Sequence, residues 1–151
     1  METPAAPPPV ATPSGTVRFA DETTTISPAE LGQLFDREQI YWAVGRTAAD
    51  WRRLLESSRL FAGRLEGEGE LVGTLRLWSD GVYEAKIYDV LVAAPYRGCG
   101  IASALVAWAL RDPWVTAVKS VVLETRDAEA FYRRFGFVTA DEAALVHLRR
   151  G

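Results

Sequence analysis

The sequence predicts an α/β fold with one mixed, mostly antiparallel sheet flanked by helices, and three observations support this. A hairpin pattern comes first, in which two β-type runs are joined by a turn at residues 66–69. Two strand–helix pairs follow, and short β-type runs at residues 137–138 and 145–148 close the chain. Hairpins followed by strand–helix alternation are typical of a mixed sheet. The main strands are predicted at residues 58–65, 70–78, 85–92 and 120–124, and the helices that follow the last two at 101–110 and from 127 to about 134.

Helix start signals place two more helices before the hairpin. Ser27, followed by Pro28 and then by Glu30 three residues after the cap, is typical of a capped helix start. Thr47 with Asp50 gives a second, weaker signal of the same kind. The other predicted boundaries are a short strand at residues 23–26, a helix cap at Asp127 and a helix stop at Gly136.

Length and composition fit one globular domain with a short tail. The chain has 151 residues, of which 48% are hydrophobic and 25% charged, as in ordinary globular domains. Residues 1–16 are rich in Pro, Ala and Thr without a hydrophobic period, so we expect a disordered tail and a domain at residues 17–151.

Charge, hydropathy and cysteine content bear on the partners and the compartment. The apolar helical run at residues 101–110 is too short to span a bilayer, and the net charge of −3 argues against a nucleic-acid ligand. The single cysteine, Cys99, forms no internal disulfide, so nothing here argues for secretion. We therefore expect a cytoplasmic protein that binds neither membrane nor nucleic acid.

The most informative stretch is YDVLVAAPYRGCGIA at residues 88–102, where a strand leads through a turn with two glycines directly into a helix. The first helical turn has backbone N–H groups without partners, and the helix dipole adds positive potential there. Gly98 and Gly100 let an anion such as a pyrophosphate approach the backbone without a Cβ in the way. Arg97 either adds a positive charge or fixes the loop.

A Rossmann dinucleotide site is one explanation of this turn. Its G-x-G-x-x-G pattern is incomplete here, because Ser103 stands where the third glycine belongs. Glu124 ends the next strand at about the spacing expected of the ribose-binding acid. However, only residues 125–151 follow it, and they cannot hold a second βαβ half.

The GNAT acetyltransferase family is the other explanation, and the motifs resemble it closely. RGCGIA at residues 97–102 resembles the family's R/Q-x-x-G-x-G/A motif, DVLV at residues 89–92 its D-L-x-V strand, and FYRRFGF at residues 131–137 its F-Y-x-x-x-G-F signature. One departure is that Ala94 stands where the family usually has Pro, with Pro95 next. The resemblance covers roughly residues 24–148 and is greatest to small bacterial amine acetyltransferases and the plant chloroplast arylalkylamine group.

The resemblance implies a single-domain fold with a V-shaped splay after the fourth strand. It also implies direct transfer of the acetyl group from acetyl-CoA to a primary amine, without a metal. In the family, the splayed strand binds the pantetheine arm, and a backbone N–H, here that of Val90, donates to the thioester carbonyl. The residues that carry over to acetyl-CoA binding are Val90, Leu91, Val92, Arg97, Gly98, Cys99, Gly100, Ile101, Ala102 and Ser103.

The catalytic residues follow from the same resemblance. Tyr132 matches the general-acid tyrosine that protonates the leaving thiolate, and a phenol with a pKa near 10 stays protonated at neutral pH. Asp89 is the leading candidate for the base, with Glu84 and Asp80 as alternatives. Candidates for the acceptor site are Tyr41, Trp42, Trp78, Asp80, Tyr83 and Glu84, while the spacing of Trp51 and Trp108 predicts core positions.

Two further questions stay open at this level. A non-catalytic acyl-CoA-binding or regulatory domain on the same fold is the rival function, and it would not need a proton donor at Tyr132. The acceptor is expected to be a small-molecule or peptide amine. Homodimers are frequent in the family, so the oligomeric state is open as well.

Overall fold

The computed structural model describes residues 3–67 and 69–139, and the backbone of residues 146–150. Within these residues, eight strands form one sheet in the order β1-β2-β3-β4-β5-β6-β8-β7. Neighbouring strands are antiparallel except for β5 and β6, which are parallel, so the predicted mixed, mostly antiparallel sheet is confirmed. The strands are β1 Val10–Thr12, β2 Gly15–Asp21, β3 Arg59–Leu65, β4 Leu71–Ser79, β5 Glu84–Val92, β6 Ser120–Thr125, β7 Phe137–Thr139 and β8 Val146–Arg150.

Five α-helices and two short 3-10 turns flank the sheet in the described part of the chain. The longest helix has 11 residues, and no helix in the described ranges is long and apolar enough to cross a membrane. The helices are α1 Pro28–Arg37, α2 Ala48–Glu56, α3 Ile101–Arg111, α4 Pro113–Thr116 and α5 Glu129–Arg133, and the 3-10 turns are Tyr41–Ala43 and Ala94–Tyr96.

The N-terminal region differs from the prediction. The strand predicted at residues 23–26 is wrong, because these residues form a turn, and the first strands are the β1–β2 hairpin. The tail that was predicted to be disordered makes specific contacts with the rest of the protein. Thr3 Oγ1 donates to Asp21 Oδ2 at 2.6 Å, and the indole N–H of Trp108 donates to the carbonyl of Pro4 at 2.9 Å. A buried indole needs an acceptor, and proline lowers the entropy lost when such a segment becomes ordered. Residues 1–2 lie outside the described part.

Helix α3 is anchored to the sheet by buried side chains. Ile101, Leu105 and Trp108 are almost fully buried and follow a helical period. The Trp108 ring lies 4.5 Å from that of Phe61 on β3, between centroids. Gly73 on β4 makes the close approach possible, because a Cβ there would lie 3.0 Å from Cγ2 of Ile101. The predicted helix and the predicted core position of Trp108 are both confirmed.

Helices α1 and α2 pack against each other through Phe35 and Trp51, whose ring centroids lie 4.9 Å apart. The Ser27 side chain accepts from the Glu30 N–H, as predicted. Thr47 and Asp50 form a reciprocal capping box. Trp51 is 1% exposed, which confirms its predicted core position.

The cap predicted at Asp127 is wrong. Helix α5 begins two residues later at Glu129, with Ala128 at the N-cap and no side-chain cap. The hydroxyl of Thr125 accepts from the Ala128 N–H at 3.1 Å instead. Gly136 ends this region with a φ of 89°, as predicted for a helix stop. Asp127 is therefore left without a capping role.

The close contact between Gly73 and α3 predicts that Gly73→Val destabilises the protein. Gly73→Val would place atoms against Ile101 and Leu105, and overpacking of this kind costs about 1–3 kcal/mol. The measurement is thermal unfolding, in which we expect a lower melting temperature.

Gly32→Ala is the matched control. It adds a Cβ in helix α1 at an ordinary 3.5 Å from the Trp51 ring, so we expect stability unchanged or raised by up to about 1 kcal/mol. Equal melting temperatures for Gly73→Val and the wild type would show that α3 does not depend on this contact.

Candidate active site

Strand β5 carries a bulge near its middle. Its register with β4 shifts by one residue between Thr74 and Arg76, so Leu75 alone faces two β5 residues, Asp89 and Val90. Asp89 has a φ of 53°, a left-handed conformation that Asp tolerates better than most residues. A bulge of this kind bends the strand and increases its twist.

The Asp89 carboxylate is held by two arginines. Arg46 NH1 donates to Oδ1 at 3.0 Å, and Arg76 Nε donates to Oδ2 at 2.8 Å. The Asp89 side chain is only 2% exposed. Thr74 Oγ1 donates to the carbonyl of Asp89 at 3.0 Å, so side chain and backbone of the bulge are both fixed. Two charge-assisted hydrogen bonds compensate for burying the charge.

The sheet opens three residues before the bulge, where β5 and β6 stop pairing. Strands β5 and β6 pair at Glu84–Ser120, Ala85–Val121 and Lys86–Val122, and no later pair joins them in the described residues. The carboxyl-terminal half of β5 therefore has backbone groups that face no strand on that side. This is the predicted V-shaped splay, and two clefts are lined by β5.

The first cleft, here called the glycine-turn cleft, has a volume of about 530 Å³. It lies at the start of α3, where Gly98 and Gly100 have φ values of 76° and 91°. The helix has no side-chain cap and no acidic residue in its first turn, so the first-turn N–H groups are available to an anion. The lining residues are Val90, Val92, Tyr96, Arg97, Gly98, Gly100, Ile101, Ala102, Ser103, Ala128, Phe131, Tyr132 and Arg134.

Arg97 fixes the loop before the glycine turn. Its Nε donates to the Val92 carbonyl at 2.9 Å, and its NH2 donates to Glu38 Oε1 at 3.1 Å. The same Glu38 oxygen accepts from the Ala94 N–H at 2.8 Å. Arg97 lines the cleft, but the Glu38 carboxylate offsets its charge.

Eight of the ten residues predicted to bind acetyl-CoA line the glycine-turn cleft, and Leu91 and Cys99 do not. Leu91 is 5% exposed and belongs to the core, because its side chain alternates with those of Val90 and Val92. Cys99 points its thiol at the Arg97 carbonyl, 3.6 Å away. The sequence analysis missed four lining residues, Tyr96, Ala128, Phe131 and Arg134, although Phe131 and Arg134 stand within the recognised FYRRFGF stretch.

The second cleft, here called the aromatic cleft, has a volume of about 410 Å³. It lies between β5, the end of β6 and the 3-10 turn that carries Tyr41 and Trp42. These two predicted acceptor-site residues line it, and their rings meet edge to face with centroids 5.1 Å apart. The lining residues are Tyr41, Trp42, Arg46, Lys86, Ile87, Tyr88, Asp89, Val90, Leu123, Glu124, Thr125, Arg126, Asp127, Ala128 and Tyr132.

The other predicted acceptor-site residues lie elsewhere. Trp78, Asp80, Tyr83 and Glu84 are at the β4–β5 turn and do not line the aromatic cleft. Glu84 and Asp89 are five positions apart in the chain, which along a strand corresponds to about 17 Å. The Asp80 carboxylate has a structural role, because its Oδ1 accepts from the N–H groups of Val82, Tyr83 and Glu84. Neither Asp80 nor Glu84 is placed to serve as a base in this cleft.

Tyr132 stands where the two clefts meet. It lines both of them, as do Val90 and Ala128, and it is 7% exposed. Burial raises the pKa of the Tyr132 phenol, and the negative charge of Asp127 raises it further. The side chain is therefore neutral throughout the physiological pH range and retains a proton to donate.

Comparisons with known proteins place this arrangement in a family. Residues 21–137 match the model of the acetyltransferase (GNAT) family. A GNAT-family protein from Xanthomonas campestris pv. campestris is 26% identical, with a TM-score of 0.72, and the match covers 81% of this chain and 84% of that one. A protein from Deinococcus radiodurans R1 described as an acetyltransferase is also 26% identical, with a TM-score of 0.68 and coverage of 84% and 85%.

A more distant neighbour has a bound ligand. The PaiA N-acetyltransferase from Thermoplasma acidophilum was solved in complex with coenzyme A, and it has 11% identity, a TM-score of 0.68 and coverage of 89% and 98%. At 11% identity, the similarity concerns the fold alone. The search of curated proteins finds no match. With the family model spanning most of the chain, and the splayed sheet and glycine turn in place, this protein belongs to the GNAT acetyltransferase family.

Proposed function

We propose that this protein is an N-acetyltransferase that moves the acetyl group of acetyl-CoA directly to a primary amine. The observation that carries the proposal is the meeting of the two clefts at Val90 and Tyr132. One cleft suits an anionic donor and the other a second substrate. Direct attack requires both substrates to be bound side by side, and this junction is where they would meet.

The glycine-turn cleft fits the pyrophosphate of coenzyme A. A Cβ added at Gly98 or Gly100 would meet no atom within 4 Å, so the glycines leave free space beside the backbone N–H groups. The described lining residues include two arginines, Arg97 and Arg134, and no carboxylate. Because Arg97 is paired with Glu38, the features that favour a phosphate group are the unpaired N–H groups of the helix N-terminus and the charge of Arg134.

The free edge of β5 suits the pantetheine arm, which has amide groups that can pair like a strand. Val90 and Val92 line this route. The Val90 N–H would donate to the thioester carbonyl, where negative charge develops during attack. The fixed bulge keeps that donor in place before the substrates bind.

Tyr132 is the proposed general acid. The leaving thiolate needs a proton, and the buried phenol at the junction keeps one at neutral pH. Its ring packs edge to face against Phe131 and Phe137, so its orientation is fixed. The non-catalytic rival has no use for a protonated phenol at this position.

Asp89, the predicted base, has a different role in this proposal. Both of its oxygens are bonded to arginines, and proton transfer to it would weaken those two charge-assisted bonds. We assign Asp89 to holding the bulge that presents the Val90 N–H. It positions the site and does not accept the proton of the amine.

Acetyl-CoA binding is tested by thermal unfolding. At 100 times the dissociation constant a ligand stabilises by about 2.7 kcal/mol, roughly 5–10 °C for a domain of this size. We expect this shift for the wild type with acetyl-CoA, none with NADH, and none for Gly100→Val with acetyl-CoA, because the added side chain fills the pyrophosphate site.

Gly67→Val is the matched control for this test. Gly67 has a φ of 88°, close to the 91° of Gly100, and an equally empty surrounding, but it lies in the β3–β4 turn. The same backbone strain is therefore introduced away from the cleft, and the shift with acetyl-CoA should persist. A full shift in Gly100→Val would contradict the assignment of the cleft.

The role of Tyr132 predicts a specific kinetic change. Tyr132→Phe should lower kcat by more than about tenfold, because the thiolate loses its acid, while the dissociation constant of acetyl-CoA stays nearly unchanged. Tyr96→Phe is the control, since Tyr96 lines only the glycine-turn cleft and should retain wild-type kcat. Wild-type turnover in Tyr132→Phe would remove this residue from catalysis.

The role of Asp89 predicts a loss of stability. Asp89→Asn keeps a residue that tolerates positive φ but leaves Arg46 and Arg76 uncompensated, which costs about 3–5 kcal/mol for a buried pair. Denaturant unfolding is the measurement. Glu66→Gln is the control, because it removes an exposed pair with Arg18 and should change stability by less than about 1 kcal/mol.

The two roles of Asp89 predict opposite results for this variant. A wild-type stability combined with lost turnover would identify Asp89 as the proton acceptor. A marked loss of stability would support its role in holding the bulge.

A further inference from the structure

Some charged side chains of the aromatic cleft form ion pairs with each other, and others do not. Arg46 bonds Asp89 at 3.0 Å, and Lys86 Nζ bonds Glu124 Oε1 at 2.9 Å. Two oppositely charged side chains, Arg126 and Asp127, make no ion pair with any described residue. Among the described residues, the cleft therefore offers a ligand one cation and one anion that have no ion-pair partner.

Arg126 is positioned to bind an anion. Its guanidinium carbon lies 4.8 Å from the centroid of the Tyr41 ring. A guanidinium stacked on an aromatic face keeps its N–H donors in its own plane, where they match a carboxylate bidentately. The Tyr41 ring thus places this group without using its hydrogen-bonding edge.

Asp127 lines the aromatic cleft together with Val90 and Tyr132, the residues at the junction of the two clefts. It is close enough to Tyr132 for its charge to act on the phenol, and it has no capping role because Thr125 takes that contact. An ammonium group bound by Asp127 would lie beside Tyr132 and Val90. That is where an attacking nitrogen is needed.

Resting on the proposed function, we infer that the acceptor is a zwitterion in which a carboxylate lies next to the primary amine, as in an α-amino acid. Arg126 binds the carboxylate and Asp127 binds the ammonium. Arg126 and Asp127 line the same cleft, so one small ligand reaches both charged groups. The aromatic cleft also has apolar and aromatic lining residues, which fit a hydrophobic side chain of the acceptor. These residues are Tyr41, Trp42, Ile87 and Leu123.

The proton balance of the reaction is complete with these groups. Asp127 accepts one proton from the ammonium, directly or through water, and the neutral nitrogen then forms a C–N bond with the acetyl carbonyl carbon. The C–S bond breaks, and Tyr132 protonates the leaving thiolate. The second proton of the attacking nitrogen restores the phenol, so the net release is one proton to solvent from Asp127.

The test is a panel of free L-amino acids, each compared with its carboxamide, and of simple alkylamines, with thiol release as the readout. We expect at least one free amino acid to exceed its amide by about tenfold or more in kcat/KM. Arg126→Gln should abolish this preference by raising KM for the free acid, with little change for the amide. Arg126→Lys should restore part of it.

Two more variants complete the design. Asp127→Asn should lower kcat for acids and amides alike, because both acceptors need to lose a proton. Arg52→Gln is the control, since Arg52 is exposed on α2 and lines neither cleft, and it should behave as the wild type.

The outcomes separate the two proposals. If no free acid exceeds its amide, or if Arg126→Gln changes both alike, the zwitterion inference is wrong while acetyl transfer to amines can still be measured. If acetyl-CoA gives no thermal shift and no amine releases thiol, the proposed function itself fails.

Discussion

The bulge in β5 is the constraint on which the site depends. A left-handed residue inside a strand is unfavourable, and it persists only because its surroundings hold it. Here Arg46 and Arg76 bind the Asp89 carboxylate from two sides, and Thr74 binds its carbonyl. The resulting bend separates β5 from β6 after Lys86 and Val122. Both clefts are lined by residues of β5, so a buried ion cluster shapes the strand that the two clefts share.

The second fixed point is the start of α3, which is rigid for an independent reason. Ile101 packs over Gly73, and the helix continues into the core through Leu105 and Trp108. Its free N–H groups therefore keep their direction without a ligand, and little reorganisation is needed when an anion binds. The β5 bulge and the α3 terminus are joined by the loop that Arg97 and Glu38 hold. The bulge and the helix terminus are thus positioned by one continuous set of contacts.

Local signals in the sequence predicted the central strands, four of the helices and the glycine turn. The cap at Ser27, the capping box of Thr47 and the Gly98–Gly100 turn each depend on residues a few positions apart, and the structure has all three. Contacts between distant residues were not predictable in this way. Asp89 is bonded to an arginine 43 residues away, and Trp108 to a carbonyl 104 residues away. No spacing rule identifies such partners, so the ion pairs of Asp89 and the order of the N-terminal segment emerged only from the structure.

The junction residue Tyr132 shows how the two substrates are coupled in our proposal. A thiol has a pKa of about 8.5 and a phenol about 10, so proton transfer from the phenol to the thiolate is uphill by about 2 kcal/mol. Burial of Tyr132, the larger cause of its raised pKa, makes the phenolate less favourable still. The charge of Asp127 adds to this effect, because it also opposes formation of the phenolate. Once Asp127 has accepted the amine's proton, this smaller contribution disappears and Tyr132 becomes a better acid than before. Deprotonation of the acceptor in one cleft thereby prepares the proton donor for the leaving group in the other.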